Sequence, residues 1–350
     1  MVRLVGIEYL RACAATAVML FHYALASGYS GALVALGQFG VDVFFVISGF
    51  IMWTVSRDEA SPAGFLLRRI VRIAPLYWLA TLAAALVTTE GGVTLGLGAP
   101  AGDLAKALFF IPAYSARSPD VVEPILSVGW TLNLEMAFYA LFAASLAAPR
   151  RRRLIVLVGA LLLLAAAGLV AQPSGAALSL WTRSVVAEFA MGLVIGAFYA
   201  RAKARGRAIL APGAGAALGL LGLAGAAFGD PDSSLRGLLW GGPAALIVIG
   251  ALALEPRFAA RPSRLLLLLG AASYALYLTH GMQLALSTAL IAPLLDALPS
   301  AARLAALCVG GLCAGVVAHL TVERPIDRML RGGRGRADFS GRLSQRARGL

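Results

Sequence analysis

Ten long apolar stretches run through this chain of 350 residues and limit what it can fold into. A helix needs about 20 consecutive apolar residues to cross a bilayer, and the stretches come close to that length. Sixty per cent of the residues are hydrophobic and 13% are charged, whereas globular domains carry about 25% charged residues. We therefore expect an all-α integral membrane protein, and a soluble multidomain enzyme is excluded.

Hydropathy and helix-breaking residues predict a bundle of ten transmembrane helices within one domain, residues 1–325. The spans are placed near residues 8–28, 38–56, 73–90, 128–147, 154–171, 183–200, 208–227, 236–254, 265–291 and 301–321. Residues 91–127 form the longest outer connection, which we expect to cap an outward-facing site. The basic, glycine-containing tail, residues 326–350, is expected to be disordered on the cytoplasmic side.

The net charge of +13 comes largely from short basic groups between the spans, such as residues 150–153 and 201–207. These groups occur at every second connection, which is the bias that places Lys and Arg in cytoplasmic loops. We therefore expect both termini in the cytoplasm, a bacterial inner-membrane location and no nucleic-acid partner. Cys13, Cys308 and Cys313 lie inside apolar stretches without the spacing of a metal site or a disulfide framework.

Ionisable side chains within the spans are candidates for function, because a charge at the bilayer centre costs at least ~2.5–3.5 kcal/mol. They are Arg11, His22, Asp42, Glu135, Glu188, His280 and His319. Counted at ~1.5 Å per residue, five of them from five spans fall in one layer, ~20–24 Å from the cytoplasmic end. These five are His22, Asp42, Glu135, Glu188 and His280. The shared depth predicts a polar site in that layer.

Two pairs of basic residues have informative spacing. Arg11 and His22 lie on one face of the first span, ~16 Å apart along its axis. Arg69 and Arg72 project from one face at the start of the third span, where two guanidinium groups can grip a phosphate. Each feature also has a structural interpretation. Arg69 and Arg72 could be topology anchors, Asp42 a helix cap, the two glutamates partners of basic groups, and either histidine a packing residue.

Several motifs follow one another along nearly the whole chain. They are Arg11 followed after ten residues by His22, GVDVFFVISGF at 40–50, RIVRIAPLYW at 69–78, GWTLNLEMAFY at 129–139, SYALYLTH at 273–280 and ERP at 323–325. Together they resemble the acyltransferase 3 family of membrane O-acyltransferases. The fourth motif is similar to the form found in the exopolysaccharide and O-antigen acetyltransferase branch.

The resemblance implies transfer of an acyl group, expected to be acetyl, from acyl-CoA to a saccharide hydroxyl. It implies no permanently bound cofactor and no metal. Arg11, Arg69, Arg72 and Tyr77 would bind the donor. His22 would take the proton of the acceptor, with Glu135 or Asp42 orienting its imidazole. The acceptor would meet Trp130, Asn133, Tyr139, Glu188, Tyr274 and His280. Other proteins of envelope-polysaccharide biosynthesis are candidate partners.

Three other functions remain open at the level of sequence. Charged groups in mid-membrane could form a proton relay in a transporter that exports a saccharide or lipid. The acceptor of an acyltransferase could be a small-molecule glycoside. A non-enzymatic scaffold would leave the buried ionisable groups without a purpose. Direct transfer and an acyl-His22 intermediate are both compatible with the motifs.

Overall fold

The computed structural model describes residues 4–56, 59, 61–87, 100–115 and 119–330 of the chain, and ten helices in these ranges build the bundle. In chain order they are α1 (Val5–Ala26), α2 (Phe39–Val55), α3 (Pro62–Val87), α4 (Trp130–Ser145), α5 (Arg150–Ala171), α6 (Val186–Ala204), α7 (Pro212–Ala226), α8 (Gly241–Ala260), α9 (Arg264–Leu290) and α10 (Ser300–Ala318).

Each of the ten predicted spans corresponds to one of these helices. Among the described residues, eight helical segments are long and apolar enough to cross a membrane. The helices outside this group are α4 and α7, with 16 and 15 residues. Helix α3 begins at Pro62, well before the predicted start at residue 73, so Arg69 and Arg72 lie within its third turn.

The prediction for the tail is wrong at its beginning. After α10 the chain forms a π-helical turn, His319–Glu323, and continues as a helix to Leu330. Residues 326–330 are therefore helical, and the rest of the predicted tail lies outside the described residues. The outer connection contains a short helix, Ala101–Leu108, whereas residues 88–99 and 116–118 also lie outside the described ranges.

Large apolar side chains on the outside of the bundle identify the surface that faces lipid. On α5, Ile155, Leu163 and Val170 are 73%, 72% and 87% exposed. Contiguous apolar exposure of this kind is unfavourable in water but matches the hydrocarbon core of a bilayer. The exposure and the helix lengths together confirm an all-α integral membrane protein.

Helices α2 and α6 approach each other more closely than any side chain would allow. A Cβ atom on Gly49 would lie 2.2 Å from the carbonyl oxygen of Phe189, and one on Gly192 would lie 2.1 Å from that of Val46. Small residues allow this kind of backbone contact between transmembrane helices. The contact places α2 in the interior of the bundle, where its opposite side is available for a site.

Candidate active site

A cavity of about 650 Å³ opens between α1, α2, α3, α4 and α9. Four arginines from α1 and α3 line it: Arg11, Arg68, Arg69 and Arg72. Glu135 and Tyr139 of α4 and Tyr274 of α9 complete the polar part of the wall. The structure therefore brings together six of the side chains that the sequence assigned to donor binding, catalysis and acceptor binding.

Glu135 is held in place from two sides. Its Oε1 atom accepts a hydrogen bond of 2.9 Å from the Ser48 hydroxyl on α2. The hydroxyl of Tyr139, one turn further along α4, donates to the same oxygen. Sequence reasoning missed the role of Ser48, although this residue stands inside the second motif. The two bonds fix a carboxylate opposite the arginines of the cavity.

Two of the arginines are held at the cavity wall by contacts with neighbouring side chains. Arg11 Nη2 donates one bond of 3.0 Å to the Ser273 hydroxyl of α9. The guanidinium carbon of Arg69 lies 5.5 Å from the centroid of the Phe65 ring, and Arg69 Nε has no hydrogen-bond partner among the described residues. Since guanidinium groups bind phosphate through paired N–H donors, this wall suits a phosphorylated ligand.

Asp327 also lines the cavity, from the helix that follows α10. This residue lies in the segment that the sequence interpretation assigned to a disordered tail. Its contribution was missed because hydropathy marks the apolar part of a helix and gives no information on a polar continuation. The end of the described chain therefore contributes to the wall of the cavity.

Two histidines from distant parts of the chain meet behind this cavity. The Nε2 atom of His280 lies 3.2 Å from the Nδ1 atom of His22. His22 Nδ1 also lies 2.9 Å from the carbonyl oxygen of Val18. Neither imidazole is among the described residues that line the cavity. Tyr277 does line it, however, and its ring centroid lies 6.0 Å from that of His280.

The expected carboxylate partner of His22 is not found in either proposed position. Glu135 is bonded to Ser48 and Tyr139, as described above. Asp42 is fully buried, and its two oxygens accept bonds of 3.0 and 2.8 Å from Arg236. Arg236 was overlooked as a partner, although a lone arginine at the outer end of a span is an exception to the charge bias and could have indicated this pair.

Glu188 belongs to the same buried group as Asp42. Its side chain is fully buried, and neither carboxylate oxygen has a hydrogen-bond partner in the described part of the chain. Asp42 and Arg236 are its charged neighbours. The five residues of the predicted layer therefore form three separate sets: the histidine pair, Glu135, and Asp42 with Glu188. Depth along a helix axis gave no information on which helices are neighbours.

The remaining predicted ligand residues lie away from the cavity. Tyr77 is buried and stacks on Phe110, with ring centroids 4.7 Å apart. The Arg183 guanidinium carbon lies 5.6 Å from the centroid of the Trp130 ring. Asn133 is 1% exposed, and its amide has no hydrogen-bond partner among the described residues. The donor role of Tyr77 and the acceptor roles of Trp130 and Asn133 thus gain no support from the cavity.

The comparison with protein families agrees with the arrangement of the motifs. A family model described as an acyltransferase domain, that of the acyltransferase 3 family, matches residues 4–320. The chain belongs to the acyltransferase 3 family. This membership confirms the resemblance that the motifs carry, and it makes the protein an integral-membrane acyltransferase.

Two relatives show how far the similarity extends within this acyltransferase family. The exopolysaccharide production protein ExoZ of Rhizobium meliloti (strain 1021) is 39% identical over 335 residues, which cover 93% of this chain and all of ExoZ. The acyltransferase MdmB of Streptomyces mycarofaciens is 30% identical over 150 residues, or 40% of this chain and 38% of MdmB. No solved structure matches this acyltransferase.

Proposed function

We propose that this acyltransferase moves an acetyl group from acetyl-CoA to a hydroxyl of a saccharide at the bacterial inner membrane. One observation carries the proposal: a cavity lined by four arginines extends to Tyr277, whose ring adjoins the pair formed by His280 and His22. The saccharide acceptor is supported by ExoZ, whose name refers to exopolysaccharide production and which aligns with this chain over its whole length.

The donor enters the cavity from the side of the arginines. The phosphates of the coenzyme bind Arg69 and Arg72, which lie one turn apart on the same face of α3. Arg11, fixed by its bond to Ser273, contacts the donor deeper in the cavity. The pantetheine arm then follows the apolar wall formed by Phe44 and Phe45, which brings the thioester toward Tyr277.

The reaction requires one proton acceptor close to both substrates. His22 removes the proton of the acceptor hydroxyl while its oxygen attacks the thioester carbonyl. The bond between the carbonyl carbon and sulfur breaks, and the thiolate of the coenzyme takes the proton from His22. The neutral imidazole accepts the proton in the first step and the charged imidazole returns it in the second. Histidine suits both steps because its ordinary pKa, ~6.5, is close to neutral pH.

Mass spectrometry of the acceptor, combined with labelled donor, tests this function. Purified protein in detergent receives acetyl-CoA labelled in the acetyl group and an oligosaccharide released from the cell envelope. We expect the label on the saccharide, and a loss of at least ~10²-fold in rate for His22→Ala. His319→Gln is the matched control, because His319 is the third histidine and bonds only Glu323 among the described side chains.

Three results would contradict the proposal. One is transfer by His22→Ala at the rate of the unmodified protein. Another is acetylation that proceeds without any acyl-CoA. The third is movement of a saccharide across a vesicle membrane with no acyl transfer, which would favour the transporter. Label appearing on small glycosides and not on oligosaccharides would reassign the acceptor.

The role of the cavity in donor binding has its own test. Replacing Arg69 by Ala removes a charge-assisted bond worth about 1.5–3 kcal/mol, so the KM for acetyl-CoA should rise about tenfold or more. Arg261→Ala is the control, because Arg261 is exposed beyond the end of α8 and does not line the cavity. Equal KM values for the two variants would show that the donor binds elsewhere.

A further inference from the structure

We propose that His280 is a positioning residue that determines which nitrogen of His22 carries the proton. The inference rests on the proposed function of His22 as the base, and it adds the atom at which that base works. His280 lies on α9, 258 residues from His22, and is 1% exposed. The two imidazoles are in contact because α1 and α9 pack side by side.

Three contacts restrict the positions of the protons on the two rings. His280 Nδ1 lies 3.2 Å from the carbonyl oxygen of Leu276. His22 Nδ1 lies 2.9 Å from the carbonyl oxygen of Val18. The third contact joins His280 Nε2 to His22 Nδ1 over 3.2 Å. A carbonyl oxygen can only accept, so each Nδ1 atom must carry a proton for the first two contacts to be hydrogen bonds.

With these two protons in place, the contact between His280 Nε2 and His22 Nδ1 is also a hydrogen bond. With its proton on Nδ1, neutral His280 has a lone pair on Nε2, and this atom accepts from His22 Nδ1–H, which is shared with the Val18 carbonyl. The opposite assignment, with His280 Nε2–H as the donor to His22, would place lone pairs against the carbonyl oxygens of both Val18 and Leu276. Only one assignment satisfies all three contacts.

The assignment leaves the Nε2 atom of His22 without a proton. This atom therefore takes the proton of the acceptor hydroxyl, and the same atom returns it to the thiolate of the coenzyme. While His22 is charged, its Nδ1–H donates to the lone pair of His280, which stabilises the cation as a charge-assisted bond. His280 thus replaces the carboxylate that orients the histidine in the familiar Ser-His-Asp arrangement.

The backbone around His280 is fixed by a second polar contact with α1. The Tyr23 hydroxyl donates a hydrogen bond of 3.0 Å to the carbonyl oxygen of His280, and it is also hydrogen-bonded to the side chain of Gln283. Three other titratable groups lie near the histidine pair. Tyr23 of α1 and Tyr277 of α9 are next to His280, and Cys308 of α10 is next to Tyr23. His280 is consequently the group placed to orient His22.

Nuclear magnetic resonance can determine the protonated nitrogen without any reaction taking place. The chain contains three histidines, so ¹⁵N-labelled imidazole spectra of the full-length protein in detergent are simple. His319→Gln and His22→Gln variants assign the signals. We expect His22 as the Nδ1–H form in the unmodified protein. Observation of the Nε2–H form would overturn the proposal, and this result does not depend on whether acyl transfer has been detected.

Two substitutions at position 280 separate orientation from packing. Gln places an amide oxygen near the position of His280 Nε2 and keeps an acceptor for His22. Asn places its amide near Nδ1 and offers no acceptor there. We expect His280→Asn to give a mixture of His22 tautomers and to lower kcat about 100-fold. The kcat of His280→Gln should be about tenfold higher than that of His280→Asn. The KM for the donor should stay within about twofold in both variants.

The two variants also show when the proposal fails. A pure Nδ1–H signal for His22 in His280→Asn would mean that Val18 alone fixes the tautomer. Equal kcat values for the Gln and Asn variants would mean that His280 only fills space. If His280→Asn does not fold, the tautomer of the unmodified protein and of His280→Gln decides the question. A correct tautomer together with absent acyl transfer would instead count against the function of His22.

Discussion

Asp42 and Arg236 form a buried ion pair with two hydrogen bonds, and Glu188 lies beside it with no hydrogen-bond partner among the described residues. Such a group contains two carboxylates for one guanidinium. Arg236 has a second favourable contact, since its guanidinium carbon lies 4.8 Å from the centroid of the Trp240 ring. The group joins α2, α6 and the segment before α8, so its first role is to hold helices together.

The stability of this group should depend on which member is removed. Arg236→Met leaves Asp42 and Glu188 buried without a cation, and we expect it to lower the free energy of unfolding by about 3–5 kcal/mol. Asp42→Asn should cost less, because Glu188 remains next to Arg236. Thermal unfolding of the purified protein in detergent measures both changes.

Controls for this prediction are available within the chain. Arg261→Met makes the same chemical change at an exposed site and should alter stability by no more than about 0.5 kcal/mol. The double variant Asp42→Asn with Arg236→Met should be more stable than Arg236→Met alone. If Arg236→Met and Asp42→Asn unfold at the same temperature, the three residues do not share their charges as the structure indicates.

The partners of single residues were the least predictable part of the site. Asp42 and Glu135 were recognised as acids within the spans because charges are rare in apolar stretches. Their partners, Arg236 and Ser48, lie 194 and 87 residues away in the sequence. Helix depth can be calculated from the rise per residue, whereas the neighbour of a helix depends on packing, which hydropathy does not contain.

Helices α2 and α6 show how an element determines the shape of the bundle. Their contact at Gly49 and Gly192 has no room for a side chain, and α2 carries Ser48 on the wall of the cavity. Gly192→Ala would put a Cβ 2.1 Å from the Val46 carbonyl oxygen, so the two helices must separate. We expect a loss of about 1–3 kcal/mol in stability, measured by thermal unfolding in detergent.

A glycine without neighbours provides the control for that prediction. Gly159 lies inside α5, and a Cβ there would meet no atom within 4 Å. Gly159→Ala should therefore leave the melting temperature unchanged or raise it, since alanine favours a helix by about 1 kcal/mol over glycine. Two alanine variants with equal effects would mean that the close contact of α2 and α6 is absent.

The extent of the helices was predictable only in part. All ten spans were found from hydropathy, but α3 starts eleven residues before the predicted span, at Pro62 instead of residue 73. The early turns of α3 contain Arg68, Arg69 and Arg72, which lower the mean hydropathy without interrupting the helix. Hydropathy locates the part of a helix that lies in hydrocarbon, and polar turns at the interface escape it.

At the scale of the whole molecule, the orientation in the membrane depends on the shortest helix of the bundle. Helix α7 has 15 residues, about 22 Å of length, against a hydrocarbon core of about 30 Å. Its packing nevertheless indicates a complete crossing. Gly215 lies against Ala253, and Gly222, two turns later, lies against Pro243. Ala253 and Pro243 both belong to α8, so α7 and α8 are antiparallel. The chain therefore enters and leaves α7 at opposite ends of the bundle.

Reporter fusions on either side of α7 test this orientation. Alkaline phosphatase is active only outside the cytoplasm, so a fusion after Arg207 should be inactive and one after Asp230 active. The basic group at 201–207 predicts the cytoplasmic side, in agreement with the general bias. A green fluorescent protein fused at the same positions provides the control, since its fluorescence should show the opposite pattern.

If both phosphatase fusions behaved alike, α7 would not cross the membrane. The bundle would then have an odd number of crossings, and the two termini would lie on opposite sides of the membrane. The arginines of the cavity and the basic loops would then require a new assignment of sides.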